Sequence, residues 1–222
     1  MTYRMLFLAL CLLASALPGF AQLSVGLSAG PTLAFREWQF TPPIGGLTGV
    51  DYQPGLSGQA ALLAEYALSP SLALRAETGF QVWRNRLSVE VANSSGGSTP
   101  GGTLKDDLEC WTGALSLRIA PLRNKNYYLL AGSTLGTVLH NRGKIDDDLV
   151  EGSGRFELQN GLGKHTHYFL HLGLGTTFSC GPQGKILLET RYQYGLNKLF
   201  ESSAVDARIS TLLLSVGYLY AL

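Results

Sequence analysis

Eight separate stretches of this chain alternate large apolar with small or polar residues at a period of two. In LLLSVGYLYAL, for instance, Leu212, Leu214, Val216, Tyr218, Tyr220 and Leu222 occupy every second position. Successive side chains of a strand point to opposite faces, so this period builds a sheet with one apolar and one polar side. The stretches lie near residues 23–40, 55–68, 72–92, 108–121, 127–142, 164–179, 185–196 and 207–222, each bounded by Gly, Pro, Asn or Ser. No segment carries a helical period.

The connections alternate between two kinds. Three are tight: Ser69-Pro70-Ser71, the stretch around Arg123-Asn124-Lys125-Asn126, and Gly181-Pro182-Gln183-Gly184. Four are long and polar, at 41–54, 93–107, 143–163 and 197–206. An up-and-down meander puts all the short turns at one end and all the long loops at the other.

Alternation alone does not say which face is inside. A soluble sandwich or lipocalin turns its apolar face inward, whereas a membrane barrel turns it out. The lysines separate the two cases. All six (Lys105, Lys125, Lys144, Lys164, Lys185, Lys198) fall in connections or at strand ends, and a water-facing sheet would scatter them along its strands. The polar register is also rich in Gly, Ser and Ala, which suits a narrow lumen. The sequence therefore predicts an all-β, eight-stranded antiparallel up-and-down transmembrane β-barrel with a lipid-facing apolar surface. Closure also removes unpaired strand edges, which hydrocarbon does not tolerate.

Aromatic residues fall into two sets, as amphipathic rings at two interfaces would. Trp38, Phe40, Phe80, Trp111, Tyr168, Tyr192 and Tyr194 lie toward the long loops; Tyr66, Tyr127, Phe178, Tyr218 and Tyr220 lie toward the short turns. The stretch from Tyr127 to Leu139 is apolar or small on both faces, so its orientation stays open.

Residues 1–21 carry Arg4, an apolar run from Met5 to Leu17 and the small-residue end Gly19-Phe20-Ala21. That run is too short to span a bilayer as a helix and reads as a signal peptide cleaved after Ala21. The expected barrel domain is 22–222. Its 16 basic and 16 acidic residues balance, once Arg4 is removed from the 17 basic ones. This gives no sign of a nucleic-acid partner. Cys110 and Cys180 fall toward opposite ends of the strands and are expected to stay unbridged.

The inward register holds three acids, Glu65, Glu77 and Glu189, and three arginines, Arg75, Arg118 and Arg191. Equal numbers inside a narrow barrel predict paired charges that plug it, since an unpartnered buried charge costs several kcal/mol. His167 and His171 share this register, about 13 Å apart along a strand, too far to chelate one metal alone. Nearby His165 has the opposite parity. No His-x-Ser pair of the kind used by lipid A deacylases occurs; His165-Thr166-His167 and His140-Asn141-Arg142 do not match. Gly181 to Lys185 lacks phosphate-loop spacing. Asp146, Asp147, Asp148 and Glu151 read as a solvated acidic loop, with calcium ligation the alternative. No catalytic residue, metal or cofactor is expected.

With its signal peptide, eight strands, one-sided short turns and terminal SVGYLYAL, the chain resembles small outer-membrane β-barrel proteins of Gram-negative bacteria. The opening LSVGLSAGPTLAF and the Gly-rich strand centres are similar to outer membrane β-barrel domain proteins of Bacteroidota, the PorT-like set among them. The resemblance implies an outer-membrane location, contact with outer-membrane lipid, and insertion by the barrel-assembly machinery. It also implies long loops outside and short turns in the periplasm. An extracellular ligand or protein is expected to be met through the long loops, since function on such scaffolds usually resides there. The terminal Leu222 departs from the aromatic end of many such barrels, while Tyr218 and Tyr220 keep the alternating pattern. The expected role is non-enzymatic, in envelope structure or surface interaction. The alternatives are an accessory barrel in protein secretion and a lipid-modifying enzyme.

Overall fold

Each apolar-polar segment becomes a strand, and several run further than their apolar part. The computed structural model describes residues 22–40, 47–92, 97–121, 126–146, 154–156, 166–198, 200–201 and 205–222. The signal-peptide reading of 1–21, the acidic residues Asp147, Asp148 and Glu151, and His165 lie outside them. Ten β elements follow in order: β1 (Leu23–Phe40), β2 (Leu47–Ser69), β3 (Leu72–Ala92), β4 (Ser98–Ile119), β5 (Tyr127–Asp146), β6 (Gly154–Phe156), β7 (Thr166–Cys180), β8 (Gly184–Gly195), β9 (Phe200–Glu201) and β10 (Val205–Ala221). β1, β2, β3, β4, β5, β7, β8 and β10 pair in that order, all antiparallel, and β10 pairs back onto β1. The sheet closes as an eight-stranded ring. The short β6 extends the edge of β5, and β9 that of β10.

The register fixes the shape of the ring. Following directly opposed residues around it leads from Glu65 through Arg75, Ser116, Gly132, His171, Gln193, Thr211 and Ala34 to Gly55. The path returns to β2 ten residues from its start. That stagger tilts eight strands by about 40° and leaves an interior that side chains can fill.

The apolar register faces outward on every strand. Leu62, Leu115, Leu172, Leu174, Leu214 and Val216 are all exposed, Leu172 at 69 %. Water does not accept a continuous apolar band of this extent on a soluble surface, but a hydrocarbon layer does. On β7, Tyr168 and Phe178 point outward ten residues apart. At about 3.3 Å per residue and a tilt of about 40°, they stand about 25 Å apart along the membrane normal, the height of an apolar belt. Trp111, Tyr192, Tyr194 and the directly opposed Phe80 join Tyr168 at the upper edge; Tyr127, Tyr218 and Tyr220 join Phe178 at the lower, with Tyr66 half-buried beside them. Trp38 lies on β1, its side chain outside the described set.

Two sequence expectations need correction. First, the long connections are shorter than read: 47–54 belongs to β2, 98–107 to β4 and 143–146 to β5, while 154–156, 200–201 and 205–206 are also strand. Gly, Pro and Asp in these stretches mask the strand signal, and cross-strand pairing carries the ladders past the belt. Arg84 thus meets Asp107 across β3 and β4 at 2.8 and 3.0 Å, and that hydrogen bond, with the carboxylate's charge, holds its guanidinium above its ordinary pKa. Second, Lys105 and Lys144 consequently sit within strands, beyond the belt. The orientation left open for β5 is settled: Tyr127 and Leu129 point out, Tyr128 and Leu130 in.

Candidate functional site

Among the described residues, the lumen is where these strands gather many polar side chains away from solvent, and it is layered. Its lower layer is ionic and unites all six residues singled out by parity. Arg75, fully buried on β3, donates from Nε and Nη2 to Glu65 Oε2 at 2.9 and 2.7 Å. Its Nη1 donates to Glu189 on β8, with Glu77 Oε1 at 3.9 Å. Arg191 forks onto Glu77 at 2.8 and 2.6 Å and reaches Glu189 Oε2 at 3.3 Å. Arg118 Nη1 donates to Glu65 Oε1 at 3.1 Å. Three carboxylates thus face three guanidinium groups, with no net charge.

Tyr128 binds this layer together. Its hydroxyl donates to Glu189, and the Arg118 guanidinium lies over its ring at 4.2 Å. The ring fits because position 175 across the ladder is glycine: a Cβ there would stand 2.3 Å from Tyr128 Cζ. The Gly-rich inward register therefore supplies sockets for large lumen side chains. Gly175→Ala is expected to cost about 1–3 kcal/mol through overpacking, read as a lower urea midpoint of the folded barrel.

Above the ions, His171 bridges two hydroxyls. Ser116 Oγ lies 2.8 Å from its Nε2 and Thr134 Oγ1 lies 2.9 Å from its Nδ1. Gln193 continues the layer, donating to Thr134 at 3.4 Å and accepting from Thr211 at 2.8 Å. A serine within reach of a histidine has the outline of a nucleophile and base. Here the orienting group is a hydroxyl, where a catalytic triad has a carboxylate, and Ser116 and His171 are each only 2 % exposed.

The third layer is apolar. Trp83, Phe169, Leu108, Cys110, Val138, Ala34, Ala207 and Ile209 form one buried cluster, with Trp83 edge-on to Phe169 at 5.3 Å and to His167 at 6.0 Å. Gly136 opens the socket for the Trp83 indole. Arg36 closes the stack on this side, donating to Asp106 at 2.6 Å with both side chains buried. Parity reasoning missed this layer, although Trp83 shares the register of Arg75 and Gln81 and was readable from it. His167 and His171 belong to different layers. Cys110 is buried in the apolar layer, whereas Cys180 is exposed at the opposite end, next to the Gly181 turn.

The arrangement holds charge, orders side chains and fills space. No curated protein matches the sequence. Among solved structures, the chain is similar to OprG of Pseudomonas aeruginosa (10 % identity, covering 91 % of this chain and 98 % of that one, TM-score 0.46). It is also similar to Ail of Yersinia pestis (14 %, 89 % and 98 %, TM-score 0.44) and to the outer membrane protease OmpT of Escherichia coli (12 %, 91 % and 96 %, TM-score 0.42). The model of the outer membrane protein beta-barrel domain matches residues 20–201. A closed ring, an outward apolar belt and a match over most of the chain agree: this protein belongs to the outer membrane protein β-barrel domain family.

Proposed function

We propose that the protein is a sealed, non-enzymatic barrel that supports the outer envelope and presents its extended long-loop ends for surface contact. The observation that carries this reading is the filled lumen: a neutral six-residue ion network below, a hydroxyl-histidine layer between, and an apolar layer around Trp83 above. The apolar side chains around Trp83 narrow any polar path through such a stack, because they do not replace a hydration shell. Enzymatic use of Ser116 and His171 is opposed by their burial and by the missing acid. The strands that run past the upper aromatic edge give the barrel a rigid platform, where binding function is commonly placed.

Reconstituted into planar bilayers, the full-length protein is expected to give no resolved channel events; steady conductance at neutral pH would contradict the sealed lumen. In cells, deletion is expected to leave lipid A structure and protein export unchanged while altering surface binding. Loss of exported cargo would assign the PorT-like secretion role instead, and a changed lipid A profile restored by the native protein but not by His171→Ala would assign the enzyme.

A further inference from the structure

We propose that the short-turn mouth of the lumen is a binding site for a small oxyanion, a carboxylate or a phosphate, held between Arg118 and Lys185. A cavity of about 280 Å³ opens there, bordered by Glu65, Arg118 and Lys185 and by the small side chains of Ser24, Ala67 and Ala73. The hollow has its origin in the sequence. Ser24 faces Glu65 across β1 and β2, and Ala73 faces Ala67 on one side and Arg118 on the other. Small residues thus occupy inward positions below the ion network, where the layer above it has Trp83 and Phe169.

The three lumen arginines differ in how far their donors are used. Arg75 donates from all three nitrogens and Arg191 from both terminal ones. Arg118 donates from Nη1 alone, to Glu65 at 3.1 Å. A guanidinium carries five N–H donors. Among the described residues Arg118 Nε is buried without an acceptor, and the whole side chain is only 14 % exposed. Donors held away from water without an acceptor cost free energy, which a bound acceptor recovers. Of the three arginines, this is the one that borders the cavity.

Charge sets the sign of the ligand. The six network residues balance, so Lys185 adds a positive charge outside that balance. It lies on the inward register of β8, facing Leu219 of β10, and is exposed, with no hydrogen bond or ion pair among the described residues. The turns of this end offer it no acid: 67–74, 119–130 and 178–188 contain neither Asp nor Glu, and neither do 22–30 and 214–222. Glu65 is the side-chain carboxylate in the cavity wall, and Arg75 and Arg118 already engage both its oxygens. An anion neutralises the site, with Arg118 and Lys185 supplying charge-assisted donors to its oxygens. The volume stands at the lower end of ligand sites, about 300–1,000 Å³, and suits a compact ion. On the outer-membrane reading the short turns face the periplasm, and the ligand is drawn from there.

The test titrates the purified, isotope-labelled full-length barrel in uncharged detergent micelles with sodium phosphate, sodium acetate and sodium chloride at matched ionic strength. NMR follows the Arg118 side chain and the Lys185 amide. Phosphate or acetate is expected to shift both signals saturably, with a Kd of about 1 mM, and chloride is not. Whichever of the two binds more tightly identifies the oxyanion as tetrahedral or planar. Lys185→Gln is expected to weaken binding about tenfold, the loss of one charge-assisted contact. Ala67→Glu, which places a carboxylate of the protein's own in the cavity, is expected to abolish it. Shifts that follow ionic strength alone, saturation by chloride, or unchanged affinity in Lys185→Gln would overturn the proposal and leave an adventitious ion only. Lys185 is exposed, so its variant gives the reading if Ala67→Glu does not close, which the heat-dependent shift of an unboiled gel sample reveals. A native barrel that shows this shift but no saturable binding counts against the site alone.

Discussion

Arg75→Leu is expected to destabilise the folded barrel by about 3–5 kcal/mol, measured as the fall in the urea midpoint of the band that resists unfolding in an unboiled gel sample. The guanidinium holds Glu65 through two nitrogens and Glu189 through a third, and no part of it is exposed. Leucine fills part of the space but leaves two buried carboxylates short of a cation. Arg118 and Arg191 each retain one contact to them, at 3.1 and 3.3 Å, and do not replace it. The penalty arises from the acids left behind. Neutralising them in Arg75→Leu/Glu65→Gln/Glu189→Gln is therefore expected to recover much of the loss, so that the substitutions are far from additive. A cost below about 1 kcal/mol for Arg75→Leu would mean that water screens these charges, as at an exposed ion pair, and the lumen would not be sealed.

This network shows how far a sequence carries such a site. Parity alone puts Glu65, Arg75, Glu77, Arg118, Glu189 and Arg191 on one face, and their equal numbers imply pairing. Which acid meets which arginine is set by the register of strands far apart in the chain: Glu77 and Arg191 are separated by 114 residues. No local signal encodes that choice. The orientation of β5 was equally hidden, because Tyr127 and Tyr128 are both large and aromatic. It is decided across the ladder, where Gly175 leaves room for the inward ring of Tyr128.

The outward face was legible for a simpler reason. Hydrocarbon demands apolar side chains at every second position, and that demand is written directly into the alternation of β7, β8 and β10. Beyond the aromatic edges the demand ends, and with it the readable pattern. There Asp51, Arg84, Lys105 and Asp107 continue the strands by cross-strand pairing, which depends on the partner's register as much as on the residue itself. Trp83 is a different case: its parity was plain, but an apolar residue on the polar face has no meaning until Phe169, Leu108 and Ile209 are seen to surround it.

The claim beneath these readings is that the leucine-rich face of the ring touches hydrocarbon, and an arginine scan along β7 tests it most directly. Leu172 and Leu174 stand closest to midway between Tyr168 and Phe178 and point away from the lumen. In a bilayer, Leu172→Arg is expected to cost about 2–4 kcal/mol of folding stability, with the cost falling to about 0–1 kcal/mol for the same change at Tyr168 or Phe178. The measurement is the urea midpoint of each variant in lipid vesicles. A flat profile within about 0.5 kcal/mol at every position, the ordinary result for an exposed side chain in water, would contradict the account.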